Sequence, residues 1–162
     1  MDKLKQELKH LIKSIDDPSD LLSKVCECLC EKMEWCDWAG YYVVDPQGTN
    51  ELVLGPYCGE STEHTHIGFG EGICGQAAST LKTFIVDDVS LESNYLSCSP
   101  EVKSEIVVPV FFEGDIVGEI DLDSHRKQGF DQEDRKVLEW LAESTAEALD
   151  NFRKNGSCQA SL

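Results

Sequence analysis

The chain has 162 residues, 41% of them hydrophobic, the size of one domain built around a single core. Thirty-one acidic side chains against fourteen basic ones leave a formal charge of -17, which repels phosphate backbones and anionic lipid and excludes nucleic acid and membrane surfaces as partners. No apolar stretch approaches a membrane span, and the start Met1-Asp2-Lys3-Leu4-Lys5 lacks the apolar region of a signal peptide, so the expected location is the cytoplasm.

Leu4, Leu8, Leu11, Ile12 and Ile15 recur at helical spacing. Asp17-Pro18 then offers an N-cap and a first-turn proline for a second helix reaching about Met33, with Leu21, Leu22, Val25, Leu29 and Met33 as its apolar stripe. Residues 38–44, aromatic and β-branched, predict a strand. Asp45-Pro46-Gln47-Gly48 is a turn, residues 51–54 a short strand, and Gly68-Phe69-Gly70-Glu71-Gly72 a glycine-rich loop leading into a helix over 73–80 that Gly72 would cap. A short strand at 83–86 and an irregular connection over 87–100 precede two strong strands, 105–112 and 116–123, joined by Glu113-Gly114-Asp115. Phe130 as staple and Asp131 as cap open a last helix of about 20 residues, striped by Val137, Leu138, Leu141, Thr145, Ala148 and Phe152. This order predicts one α+β domain over residues 1–154 with a flexible tail over 155–162. Its antiparallel sheet carries the terminal helices on one face, and long loops cover a ligand pocket on the other.

Eight cysteines without an export signal point to free thiols. At about 100° per helical residue Cys26 and Cys30 share a face while Cys28 points away, so these three cannot close on one metal ion. No C-x-x-C pair is present, and His64 and His66 lack a cysteine pair at zinc-finger spacing, so no metal site is expected and packing accounts for the helical cysteines. Cys158 falls in the polar tail.

Two features carry chemistry. In the last hairpin Glu119, Asp121 and Asp123 share one strand face, whose plain reading is a solvated one. A three-residue loop at 113–115 sets Phe112 opposite Ile116, hence Glu105 opposite Asp123 and Val107 opposite Asp121, and three carboxylates converge. Acids so crowded hold each other's protons, and a protonated acid can donate a hydrogen bond to a polarised oxygen. The second feature is a pair of placed thiols. Cys98 precedes Ser99-Pro100-Glu101, which reads as the start of a short helix whose N-terminus would lower a thiol pKa, and Cys74 lies among small neighbours in Gly70-Glu71-Gly72-Ile73-Cys74-Gly75. Composition alone separates neither from a packed, inert cysteine. The Gly70-x-Gly72 pair lacks a nearby lysine and is discounted as a phosphate loop.

In sequence order, Trp38-Ala39-Gly40-Tyr41-Tyr42, Leu54-Gly55-Pro56-Tyr57-Cys58-Gly59, Gly70-Glu71-Gly72-Ile73-Cys74-Gly75, Ser104-Glu105-Ile106-Val107-Val108-Pro109 and Gly118-Glu119-Ile120-Asp121-Leu122-Asp123-Ser124 resemble the free methionine-(R)-sulfoxide reductases built on a GAF domain. The resemblance implies that Cys98 attacks the sulfoxide sulfur, releasing methionine and leaving a sulfenic acid. It implies that Glu105, Asp121 and Asp123 bind the substrate and polarise or protonate its oxygen, and that Trp38 and Tyr42 wall the methyl-sulfur end, although either ring taken alone reads equally as core. Cys74 would then close a Cys74-Cys98 disulfide for a thioredoxin-like protein to reduce, with no bound cofactor. Many members carry a further recycling cysteine where this chain has His64, which would bond substrate or face water; Cys58 is a second choice for the resolving thiol. Dimers are common in the family. The rival reading is a GAF domain that senses a small molecule or redox state without catalysis, since fold does not settle function.

Overall fold

The computed structural model describes residues 2–96 and 99–155. Among the described residues four α-helices and six strands follow in chain order: α1 Asp2–Ser14, α2 Pro18–Lys32, β1 Trp38–Val44, β2 Glu51–Cys58, β3 His66–Gly68, α3 Gly72–Thr80, β4 Phe84–Val86, β5 Ser104–Phe112, β6 Asp115–Ser124 and α4 Gln132–Lys154. The strands form one sheet in the order β3-β2-β1-β6-β5-β4, and every neighbouring pair is antiparallel.

The helix starts follow the sequence closely. Asp17 accepts the Asp20 N–H with Pro18 in the first turn, and Asp131 and Asp134 form a reciprocal capping box at α4. α2 and α4 lie directly on the sheet, where Leu22, Val25, Leu29, Leu138, Leu141 and Leu149 meet Ala39, Tyr41, Val43, Ile106, Val108, Ile120 and Leu122. α1 packs on these two helices, so the helical layer is two deep at the N-terminus and α1 is not itself a sheet cover. The buried Tyr41 hydroxyl is satisfied by Thr145 Oγ1 at 2.9 Å, an interaction that ties β1 to α4.

The strand and loop boundaries depart from expectation in four places. β2 runs on past the expected end at Leu54 to Cys58, because Gly55-Pro56 is accommodated beside a register shift between Gly40 and Tyr42 of β1. β3 is an added edge strand in what reads as loop. Helix α3 begins at Gly72 with Glu71 in the cap position, and the Gly72 N–H is taken by the Asn94 side chain at 3.0 Å rather than by a local cap. Residues 99–102 make a single turn, with Glu101 N–H on Ser99 Oγ and Val102 N–H on Ser99 O, before β5 begins at Ser104; the short helix expected there does not form.

The last hairpin reaches the expected register by a different route. Glu113 and Gly114 both have positive φ, 53° and 87°, the signature of a two-residue type I′ turn, and Phe112 therefore pairs with Asp115. Val110 pairs with Gly118 and Phe111 with Ile116, which leaves Val117 as the extra residue of a bulge. The bulge returns the ladder by one step, so that Glu105 sits opposite Asp123 and Val107 opposite Asp121.

Candidate active site

The sheet face turned away from the helices is covered by α3 and the loops around it, and it receives Trp38, Tyr42, Leu52, Val107, Ile73, Cys74, Ala77 and Val89. Strand alternation delivers Trp38 and Tyr42 from β1, Glu105 from β5, and Glu119, Asp121 and Asp123 from β6 to this face. The acids are not solvated, as their alternation first reads. Glu105 is 5% exposed, Glu119 0%, and Asp121 and Asp123 1% each, because the cover closes over them.

Such burial is costly, and its marks are visible. Both oxygens of Glu119, both of Asp123 and Oδ1 of Asp121 have no hydrogen-bond partner among the described residues. Burial pushes the carboxyl pKa up at Glu119, Asp121 and Asp123, and the charge of Asp121 adds to the rise at Glu119 and Asp123. At least part of this cluster therefore keeps its protons well above the usual carboxylate range. Glu119 was grouped by alternation with Asp121 and Asp123 in the sequence but left out of the set of ligands; β6 pairs it with Tyr42 on one side and Pro109 on the other, in the floor of the cluster.

Cys74 hangs from α3 over these acids. Its Sγ donates to Glu105 Oε2 at 3.9 Å, and one ligand atom each from Cys74, Glu105 and Asp121 lies within 4.8 Å of the others, the one such trio among the described residues. Burial, then the charges of Asp121 and Glu119, hold the thiol pKa well above normal. A thiol and carboxyls whose pKa values are all raised by burial can pass a proton between them.

The aromatic wall is set by close contacts. A Cβ at Gly40 would lie 2.4 Å from the Trp38 ring, so only glycine lets the indole fold across its own strand. Trp38 stacks on Tyr57 with ring centroids 5.6 Å apart and meets Tyr42 at 6.5 Å, while its Nε1 donates to Glu60 O at 3.0 Å. The Tyr42 hydroxyl donates to His64 O at 2.9 Å, which pins the loop that carries the histidine.

Tyr42, His64, Cys74, Leu96, Glu105 and Asp121 line one cavity of about 10 Å³, no larger than a single water needs. Trp38 and Asp123 line an adjoining one of about 80 Å³ with Ser99 and His125. The structure thus brings Cys74, Glu105, Asp121 and Tyr42 together, with Trp38 and Asp123 one step along the same face. Cys58 is elsewhere, against the helix-side core. Cys98, the expected nucleophile, and residues 156–162 of the expected tail lie outside the described residues.

The sequence matches the GAF domain family model over residues 16–150. A free methionine-R-sulfoxide reductase of Saccharomyces cerevisiae is 45% identical over 107 residues, covering 65% of this chain; the chain spans 59% of that relative's length. The structure of a type II free methionine-R-sulfoxide reductase from Thermoplasma acidophilum superposes with a TM-score of 0.79 at 34% identity, covering 88% of this chain and 96% of that one. The chain belongs to the free methionine-R-sulfoxide reductase family of GAF domains. A reductase of this family from Neisseria meningitidis, solved in complex with its substrate, matches at a TM-score of 0.85 and 33% identity over 94% of this chain and 89% of that one. The α+β architecture expected from the order of elements is the GAF fold. Among the described residues no helix of this family member is long and apolar enough to cross a membrane.

Proposed function

We propose that this protein reduces free L-methionine-(R)-sulfoxide to methionine by thiol chemistry. The observation that carries the reading is the convergence of buried, proton-holding carboxyls with Cys74 on one sheet face beside Trp38 and Tyr42. A sulfoxide is a neutral group with a polarised S–O bond. Carboxyls whose pKa burial raises can hold a proton to donate to that oxygen, whereas solvated carboxylates would repel it.

In the proposed reaction the Cys98 thiolate attacks the sulfoxide sulfur while Glu105, Asp121 and Asp123 orient the substrate and protonate its oxygen. Oxygen passes to Cys98 as a sulfenic acid and methionine departs. Cys74 then attacks the sulfenic sulfur, its proton passing toward Glu105, and the hydroxyl leaves as water to give a Cys74–Cys98 disulfide. Burial, and after it the nearby acids, raise the Cys74 pKa, which argues against Cys74 as the first nucleophile. The placement of Cys58 on the other side of the sheet argues against it as the resolving thiol. A thioredoxin-like dithiol restores the enzyme, and no bound cofactor is required.

A cavity of about 10 Å³ does not hold an amino acid. Admission of substrate therefore requires displacement of the cover, in which Leu96 packs directly over Gly72. The test is turnover of free methionine-(R)-sulfoxide with a thioredoxin system, followed by NADPH consumption and by methionine release. Wild type should turn over and Cys98→Ser should not. Undiminished turnover by Cys98→Ser, or none by wild type, refutes the proposal and favours a sensing domain.

A further inference from the structure

A second group of thiols lies on the opposite side of the sheet and is used by nothing described above. Cys30, in the last turn of α2, and Cys36, between α2 and β1, bring their Sγ atoms to 3.9 Å. Cys30 is partly exposed and Cys36 is buried. We propose that Cys30 and Cys36 are a second redox-active dithiol, which hydrogen peroxide oxidises to an intramolecular disulfide separate from Cys74.

The neighbouring thiols are arranged differently. Cys26 is fully enclosed and aims its Sγ at Pro56 O, 3.5 Å away; Cys28 points to Glu7 of α1; and Cys58 offers Cys30 its carbonyl oxygen at 3.5 Å and a hydrogen bond from its own thiol. Cys36, with its Sγ 3.9 Å from that of Cys30, is the partner assigned to close the bridge. A disulfide needs the two sulfurs at about 2.05 Å, an approach of about 1.9 Å, and only one of the partners sits in a helix. Cys36 lies in the short turn that follows α2, held by its N–H to Met33 O at 3.2 Å and by its Sγ to Trp38 O at 3.4 Å.

The electrostatics fit the same roles. The hydrogen bond from Cys36, and after it one from Cys58, brings the Cys30 thiol down to about 7 against the opposing effect of burial, while Cys36 is held protonated by its partner and by burial. Cys30 is the nucleophile. Its thiolate attacks one peroxide oxygen, the S–O bond forms as the O–O bond breaks, and the leaving hydroxide departs as water with a proton, leaving Cys30 as a sulfenic acid. Cys36 gives up its proton and attacks that sulfur, the S–S bond forms, and the hydroxyl leaves with that proton as a second water. Two thiols thereby lose two electrons and two protons to one peroxide.

Closing this bridge removes the Cys36 Sγ donor from Trp38 O, now at 3.4 Å, and pulls on Asp37, whose N–H holds Asp123 O at 2.9 Å. The bridge would therefore be felt at the aromatic wall on the far face.

The experiment treats the full chain with one equivalent of hydrogen peroxide, blocks remaining thiols with N-ethylmaleimide, cleaves after glutamate and maps peptides by tandem mass spectrometry. Cleavage after Glu27, Glu31, Glu34 and Glu51 isolates residues 28–31 from residues 35–51, which carry Cys36 as their sole cysteine. The expected product joins these two peptides through Cys30, lighter than their sum by two hydrogen atoms, with equal loss of both labelled peptides. In Cys36→Ser the product should vanish, and dimedone should trap Cys30 as its sulfenic acid. Residues 28–31 labelled at both thiols after the peroxide is consumed, or cross-linked to Cys26 or Cys58 instead, overturns the proposal. The wild-type map decides the matter even where a serine variant fails to fold.

Discussion

Replacing Gly75 by alanine tests whether α3 sets the position of Cys74. A Cβ there would lie 2.5 Å from Gly68 O, 2.9 Å from Gly70 N and 3.1 Å from Gly70 C. All three atoms are backbone, in a loop pinned by Gly70 N–H to Gly75 O at 2.8 Å and Glu71 N–H to Gly68 O at 3.0 Å. No side chain can rotate out of the way, so α3 must retreat by about 1 Å to restore ordinary contact. Overpacking of this kind costs about 1–3 kcal/mol, measurable as a lower midpoint in guanidinium unfolding. Cys74, the preceding residue, moves with the helix, and its 3.9 Å contact with Glu105 opens. A displacement of about 1 Å at a reacting atom slows the step it serves by about 100-fold. Rapid-quench measurement without reductant should show methionine release in the first turnover near the wild-type rate and Cys74–Cys98 disulfide formation slowed by that factor. Closure of the disulfide at the wild-type rate in a protein of unchanged stability would refute the argument that close backbone packing at Gly75 places the thiol.

The remaining predictions concern stability. The carboxyl of Glu119 is raised by burial, so above the unfolded glutamate value of about 4.3 the folded chain binds more protons than the unfolded one, and stability falls as pH rises through the window up to the folded value. Glu119→Gln should remove this contribution, gaining on wild type in melting temperature between about pH 5 and pH 8; a constant difference across that range would show that Glu119 does not titrate anomalously. Asn94→Ala removes the acceptor for Gly72 N–H and the donor to Gly70 O, and should cost about 1–2 kcal/mol in denaturant unfolding, with faster amide exchange at the start of α3. Tyr41→Phe leaves Thr145 still bonded to Leu141 O at 2.8 Å, so the expected loss is only about 1 kcal/mol in the same assay.

Periodicity and capping chemistry made the helices legible. Asp17-Pro18 and the Asp131 cap are local signals, and the structure uses both. The extension of β2 through Gly55-Pro56 and the edge strand β3 were not readable, because each depends on a partner strand rather than on its own residues. The hairpin is the most instructive case. Patterning demanded that Glu105 face Asp123, and that demand was correct; the three-residue turn inferred from it was not, because a bulge at Val117 does the same work as a longer loop. Side-chain alternation constrains which faces meet, and it says nothing about which device supplies the odd residue.

The burial of the acids was the part least visible in the sequence, and it bears most on function. Alternating Glu119, Asp121 and Asp123 with Ile120 and Leu122 is the pattern of a strand with one wet face. What removes the water is α3, with the loop carrying Asn94 and Leu96 capping and covering its N-terminus, in segments that lack the strong periodicity of a strand or a long helix. Asn94 bonds to Gly70 O and Gly72 N, Leu96 packs on Gly72, and the 10 Å³ cavity beneath is lined in part by that same leucine. Displacing Leu96 would enlarge the cavity and admit water to carboxyls whose pKa burial raises. In the proposed reaction, opening the site would lower these raised pKa values, so the cover would have to close over a bound sulfoxide before a carboxyl donates its proton.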